Sequence, residues 1–191
     1  MRLQDSELRA MENNVGDFRK MKAFPFILAA IVILLDQATK AFIATKWPGD
    51  GVFIADVFGN DFLWIIHVRN KAIAFSIGSG LPEAARAVLF VALPLAVIAA
   101  LVWYYFKTDD FVGLQRWAVA GIVGGGLGNL IDRIFRPDGV VDFISVNFYG
   151  LLGFSRWPTF NVADSSVVVC GILLFASVLF APRRRGEKEQ S

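Results

Sequence analysis

Trp117-Ala-Val-Ala-Gly-Ile-Val-Gly-Gly-Gly-Leu-Gly-Asn-Leu-Ile-Asp-Arg-Ile-Phe135 is the stretch whose reading decides the fold. A glycine-rich run of this kind suits a nucleotide-binding loop only where it joins a strand to a helix in a soluble βαβ unit. These glycines instead lie inside an apolar run of nearly membrane-spanning length. Gly121 and Gly125, like Gly124 and Gly128, are four apart, which lets another backbone approach closely. Packing of the helix against its neighbours is therefore the reading of the glycines, ahead of close approach by a substrate. Only the far end turns polar, where Asn129, Asp132 and Arg133 share a face.

Three more apolar stretches flank this one, and a bilayer needs roughly 20 helical residues per crossing. The spans are placed at about 23 to 45, 84 to 106, 117 to 135 and 164 to 181. Composition agrees: 55% of the 191 residues are hydrophobic and 19% charged, with a mean hydropathy of +0.54, too apolar for an ordinary soluble domain. The sequence predicts an all-α membrane protein of four transmembrane helices with a small β-containing extracytoplasmic platform. Residues 1–22 form a polar N-terminal segment, 23–181 the membrane domain and 182–191 a basic tail. The first span could alternatively be a cleaved signal peptide, since Ala23 to Leu35 has the length of a signal core behind Arg19, Lys20 and Lys22. Its polar lead is long, however, and Asp36, Gln37 and Lys40 stand where small residues should mark a cleavage site. Pro94 predicts a kink in the second span, which closes on the interfacial aromatics Trp103, Tyr104 and Tyr105.

Lysine and arginine abut the first and last spans, at Arg19-Lys20-Met21-Lys22 and Arg183-Arg184-Arg185, so both termini are expected in the cytoplasm. The connections from about 46 to 83 and from 136 to 163 then face outward. In the first, Phe53, Ile54 and Val57 and then Phe62 to Ile66 flank Gly59, Asn60 and Asp61, which predicts short strands around a turn at the bilayer surface. The second opens with the turn signal Pro137-Asp138-Gly139 and continues into Val140 to Ile144.

Ionisable residues in membrane helices are costly and mark functional sites. Asp36 and Lys40 are one helical turn apart and able to pair; Asn161 and Asp164 stand at the outer start of span four; Asp142 lies between spans three and four. An up-down path brings Asp132, Asp142 and Asp164 to one outer rim. Such a cluster suits hydrolysis, because two neighbouring carboxylates cannot both ionise: one keeps a proton as acid while the other activates water. Helix capping and satisfaction of buried donors is the plainer alternative, above all for Asp164. The residues alone leave open which two of the three aspartates would react. An ion-coupled carrier would use the same carboxylates differently, but no span shows inverted symmetry and the polar residues gather on one side. Ser165 and Ser166 lack an evident Lys or His to activate them. With one cysteine, Cys170, one histidine, His67, and a net charge of +2, neither a disulfide, a metal or other cofactor, nor a nucleic-acid partner is expected.

Asp36-Gln37-Ala38-Thr39-Lys40, Asn70 with Ala74-Phe75-Ser76, Gly128-Asn129-Leu130-Ile131-Asp132-Arg133, Val140-Val141-Asp142-Phe143-Ile144 and Phe160-Asn161-Val162-Ala163-Asp164-Ser165 form one ordered set. It closely resembles the bacterial lipoprotein signal peptidases, or signal peptidase II, from about Asp36 into span four. The resemblance implies a monomeric inner-membrane aspartyl protease that contacts membrane lipids. It would remove signal peptides from prolipoproteins just before a cysteine carrying a diacylglyceryl group. It implies Asp142 and Asp164 as the catalytic pair. Asn70, Asn129, Arg133 and Asn161 would hold substrate or orient the carboxylates, and Asp36, Lys40 and Asp132 would support the site. Ala72 stands where the family usually has glycine, and the connection from Asp142 to Asp164 is longer than usual.

Overall fold

The computed structural model describes residues 22–71 and 82–180. Ala72, the Ala74-Phe75-Ser76 box and almost all of the two charged terminal segments lie outside these. Among the described residues, four helices are long and apolar enough to cross a membrane. The chain runs from α1 (Phe26–Lys46) through strands β1 (Val52–Asp56) and β2 (Leu63–Asn70) into α2 (Glu83–Ala87). A π-helical turn, Val88–Ala92, joins α2 to α3 (Leu93–Lys107), followed by α4 (Leu114–Phe135), β3 (Val140–Val146) and α5 (Val162–Leu179). The expected spans are present with ends moved by a few residues.

The second span contains a wider turn of helix just before Pro94. Pro94 has no N–H, and its ring crowds the carbonyl four residues back, at Phe90. The π turn ends two residues before it, so the misfit is taken up within the span without breaking it.

Glycine spacing puts α4 at the centre of the bundle. Buried residues make up 56% of its span, against 6% in the spans containing α3 and α5. A Cβ on Gly124 would come within 2.7 Å of the Cα of Ala29 on α1, and one on Gly121 would collide with the Sγ of Cys170 on α5. Gly125 faces the Ala163 carbonyl, also on α5, and Gly128 faces Asp36 on α1. The two four-residue pairs therefore serve two partners, with Gly124 against the α1 backbone and Gly125 against the α5 backbone, where a methyl group would hold the neighbour off. Outward-facing Leu34, Val97, Ile172 and Phe175 leave the bundle with an apolar exterior suited to lipid.

Strands β1, β2 and β3 form one antiparallel sheet in that order, the platform at one end of the bundle. The strand-turn-strand pattern read from residues 53 to 66 is present, with bulges that alternation alone does not signal, between Phe53 and Ala55 and between Ile65 and Val68. Ile43 of α1 packs with Val141 and Phe143 of β3, flanked by Trp47, Ile65 and Val162, and so clamps the sheet to α1 and the start of α5. At the opposite end Tyr105, Val119 and Val123 pack together, and the Tyr105 hydroxyl donates to the Lys22 carbonyl at 2.8 Å. Lys22 in turn pairs with Asp109 at 2.6 Å, tying the entry to α1 to the α3–α4 turn.

Candidate active site

The site is assembled where two chain reversals meet at the platform end. After α4, Gly139 turns with φ +103°, and a Cβ there would strike the Asn70 carbonyl at 2.6 Å. Glycine thus lets β3 start directly beside the end of β2. Val68 stands opposite Asp142 and Asn70 opposite Val140. The chain then leaves β3 and returns, so that Phe160 pairs with Ile144 and Asn161 arrives beside Asp142 immediately before α5.

Asn161 is fully buried and joins the two carboxylates. Its Nδ2 donates to Asp142 Oδ1 at 2.7 Å, and its Oδ1 accepts from the Asp164 N–H at 2.9 Å. Asp164 Oδ2 in turn accepts from the Asn161 N–H at 3.2 Å, completing a reciprocal cap at the start of α5. Such a cap is worth about 1 kcal/mol. The capping reading of Asp164 is therefore correct for one of its oxygens; the other, Oδ1, accepts from Asn129 Nδ2 at 2.7 Å. Asp142 Oδ2 accepts from Asn70 Nδ2 at 2.9 Å. Burial drives the Asp142 carboxyl up to about 7; the Asn70 amide opposes this and the Asp164 charge adds to it.

Beneath this layer lies a buried charge cluster. Lys40 Nζ sits 2.7 Å from both Asp36 Oδ2 and Asp132 Oδ2, and all three side chains are fully buried. Arg136 Nε closes the set at 3.1 Å from Asp132 Oδ1, giving two cations against two anions. The cluster touches the upper layer at two points. Lys40 Nζ donates to Asn129 Oδ1 at 2.8 Å, and Asp36 Oδ1 accepts from the Ala163 N–H at 2.9 Å. Isolated charges at this depth would each cost several kcal/mol, so their mutual pairing is a condition of burial.

Asp142, Asp164, Asn70, Asn129 and Asn161 thus form one hydrogen-bonded layer, with Asp36, Lys40 and Asp132 forming another. One correction follows. Asp132 was placed with Asp142 and Asp164, but it bonds into the charge cluster instead, and its ion-pair partners among the described residues are Lys40 and Arg136. Side chains at neighbouring helical positions point about 100° apart, and a residue four positions on returns to the same face. Arg133 stacks over the Phe90 ring at 5.1 Å, with Asp142, Asp164 and Asp132 within electrostatic reach.

Two residues of the deep layer were missed as site residues. Gln37 Nε2 donates to Asp36 Oδ2, Asp132 Oδ1 and the Gly128 carbonyl at 3.0–3.2 Å. Its position beside Asp36 in an apolar span was the available signal, and for Arg136 it was the four-residue step from Asp132. Ser165 and Ser166 donate to the carbonyls of Asn161 and Gly121. His67 is buried, with Nδ1 2.7 Å from the Trp47 carbonyl.

The family model described as signal peptidase II matches residues 28–180. A lipoprotein signal peptidase of Treponema pallidum is 45% identical over 84% of this chain and 86% of its own length. One of Treponema denticola is 48% identical over 87% and 92%. A bacterial membrane enzyme solved by the in meso method superposes with a TM-score of 0.71 at 31% identity, covering 88% of this chain and 95% of the other. With four membrane-length helices, a three-stranded platform and these matches over most of its length, the chain belongs to the signal peptidase II family, the lipoprotein signal peptidases.

Proposed function

We propose that the protein is an aspartyl endopeptidase working within the membrane, which removes signal peptides from diacylglyceryl-modified prolipoproteins by cutting before the lipidated cysteine. The observation that carries this is the linkage of Asp142 and Asp164 through Asn161, both carboxylates being held by amide donors at the platform end of a membrane bundle. A signal peptide is itself a membrane helix, and its scissile bond lies at this depth.

One carboxylate is ionised and takes a proton from water as the water oxygen attacks the scissile carbonyl. The other, protonated, donates to the carbonyl oxygen. The tetrahedral diol then collapses, with a proton delivered to the departing amine, and the pair regains its single shared proton. Burial that holds the Asp142 proton to about pH 7 supports this state at neutrality. Asn70, Asn129 and Asn161 fix the carboxylate planes, Arg133 reaches toward substrate, and Asp36, Lys40 and Asp132 support the layer from below. The enzyme acts as a monomer in the bacterial inner membrane, with both termini cytoplasmic and the platform outside. The polar segment 1–22 and the tail 182–191 flank the membrane domain on the cytoplasmic side.

The test is incubation of the purified protein with a diacylglyceryl peptide and its unlipidated twin, with EDTA present. Cleavage of the lipidated peptide alone, before its cysteine, is expected. Equal cleavage of both, or dependence on added divalent metal, would remove the proposal.

A further inference from the structure

Beside the carboxylate layer, between the start of the second span and the end of α4, lies a cleft of about 330 Å³. Four cationic side chains line it, Lys71, Arg86, Arg133 and Arg136, and no carboxylate does among the described residues. Arg136 is partly neutralised by Asp132. Lys71 and Arg86 make no ion pair among the described residues, and Arg86 Nε is a buried donor with no hydrogen-bond acceptor there. A concentration of positive charge in a concave, partly apolar site favours an anion that brings several acceptor oxygens.

Directly alongside is a second cavity of about 230 Å³, sharing Phe90 and Arg133 with the first. Its other walls are Leu89, Pro94, Gly126 and Leu130, with Asn129 the one further polar residue, in the groove between the second span and α4. The paired cavities therefore offer a cationic chamber at the end of the membrane helices and an apolar slot running down their side. The bilayer supplies a molecule of this polarity at this level: a lipid whose phosphate lies at the interface and whose chain descends beside it.

The geometry points to a binding site for an anionic phospholipid, its phosphate held by Arg86 and Lys71 with Arg133 and Arg136 behind, and an acyl chain laid over Phe90 and Leu130. The site adjoins the proposed catalytic layer through Asn70 in the first cavity and Asn129 in the second, without using its carboxylates. The inference stands apart from the proteolytic reading, because lipid occupancy is measurable with no peptide present.

The experiment titrates delipidated full-length protein in detergent with short-chain phosphatidylglycerol and follows thermal stability, which a ligand bound only to the folded state raises. A saturable rise is expected. Arg86→Gln and Lys71→Gln should each weaken the apparent affinity about fivefold, as loss of one interfacial charge does. Lys71 is exposed, so its variant keeps the test intact if Arg86→Gln fails to fold. Phosphatidylcholine and diacylglycerol of matching chain length should shift stability far less. Equal response to phosphatidylcholine, or unchanged affinity in the foldable variants, overturns the proposal. Inorganic phosphate matching phosphatidylglycerol in saturation and Arg86 dependence would make this a free-anion site and overturn it too, as would preferential binding of an acidic peptide.

Discussion

Each oxygen of Asp142 accepts one amide N–H, from Asn161 at 2.7 Å and from Asn70 at 2.9 Å, so the carboxyl is fixed in plane while its proton is still free to move. Asp142→Asn and Asp164→Asn should each lower turnover by at least a thousandfold with the protein still membrane-inserted, since an amide neither shares the proton nor activates water. Near-normal turnover in either variant would refute the pair. Because the Asp142 carboxyl is raised to about 7, rate should fall above neutrality as the shared proton is lost, and again in acid as the second carboxylate protonates. Stability carries the same sign. A raised acid binds its proton more tightly when folded, so its stabilising contribution is complete below about pH 4 and is lost as pH rises through 7. The loss amounts to about 4 kcal/mol by linkage. Thermal scans from pH 4 to 8 should show this decline in the wild type and a smaller one in Asp142→Asn. Asp132→Asn should instead cost about 3–5 kcal/mol, because it leaves Lys40 with half its counter-charge in a fully buried setting. Unchanged stability with lost turnover would move Asp132 into the chemistry. The Asp36–Lys40 pair was legible because both lie on one helix four residues apart. Lys40–Asp132 was not, since nothing local fixes the rotational phase of two helices.

At the level of elements, the glycines of α4 set how near α1 and α5 can come, and they separate stability from chemistry. Gly124→Leu pushes against the Ala29 backbone, far from the carboxylates, and should lower the melting temperature through an overpacking penalty of about 1–3 kcal/mol. Gly128→Ala meets Asp36 Oδ2 at 2.8 Å, and Asp36 holds the Ala163 N–H next to Asp164. It should therefore reduce turnover severalfold for a smaller stability loss, read as kcat against melting temperature in one preparation. Equal ratios in the two variants would show that the deep layer does not position the upper one. Helix packing by these glycines was readable from their spacing, and the division between two partners was not, because four-residue pairs mark small faces without naming what fills them. The platform strands were likewise visible in their apolar runs and turn residues. Their bulges, and the return of Phe160 to Ile144, depend on contacts across the sheet that no local pattern carries.

For the molecule as a whole, hydropathy and length sufficed for four crossings, while Pro94 marked a misfit in the second span without showing that a π turn accommodates it. Orientation has a direct check. Asn60 is exposed in the β1–β2 turn, so Asn60→Cys in intact cells should react with a membrane-impermeant maleimide supplied from outside. Protection until the cells are opened would invert the topology. That assay has a quiet background for a reason set by the fold. The chain's single thiol, Cys170, is buried with its Sγ lodged over Gly121 in the seam between α4 and α5. A labelling reagent can reach it only when that seam parts. In otherwise unaltered protein, the rate at which the thiol becomes alkylated is therefore a clock for the opening of the central helix pair. It reports kinetic persistence in a bilayer, where chemical denaturants and calorimetry are hard to apply.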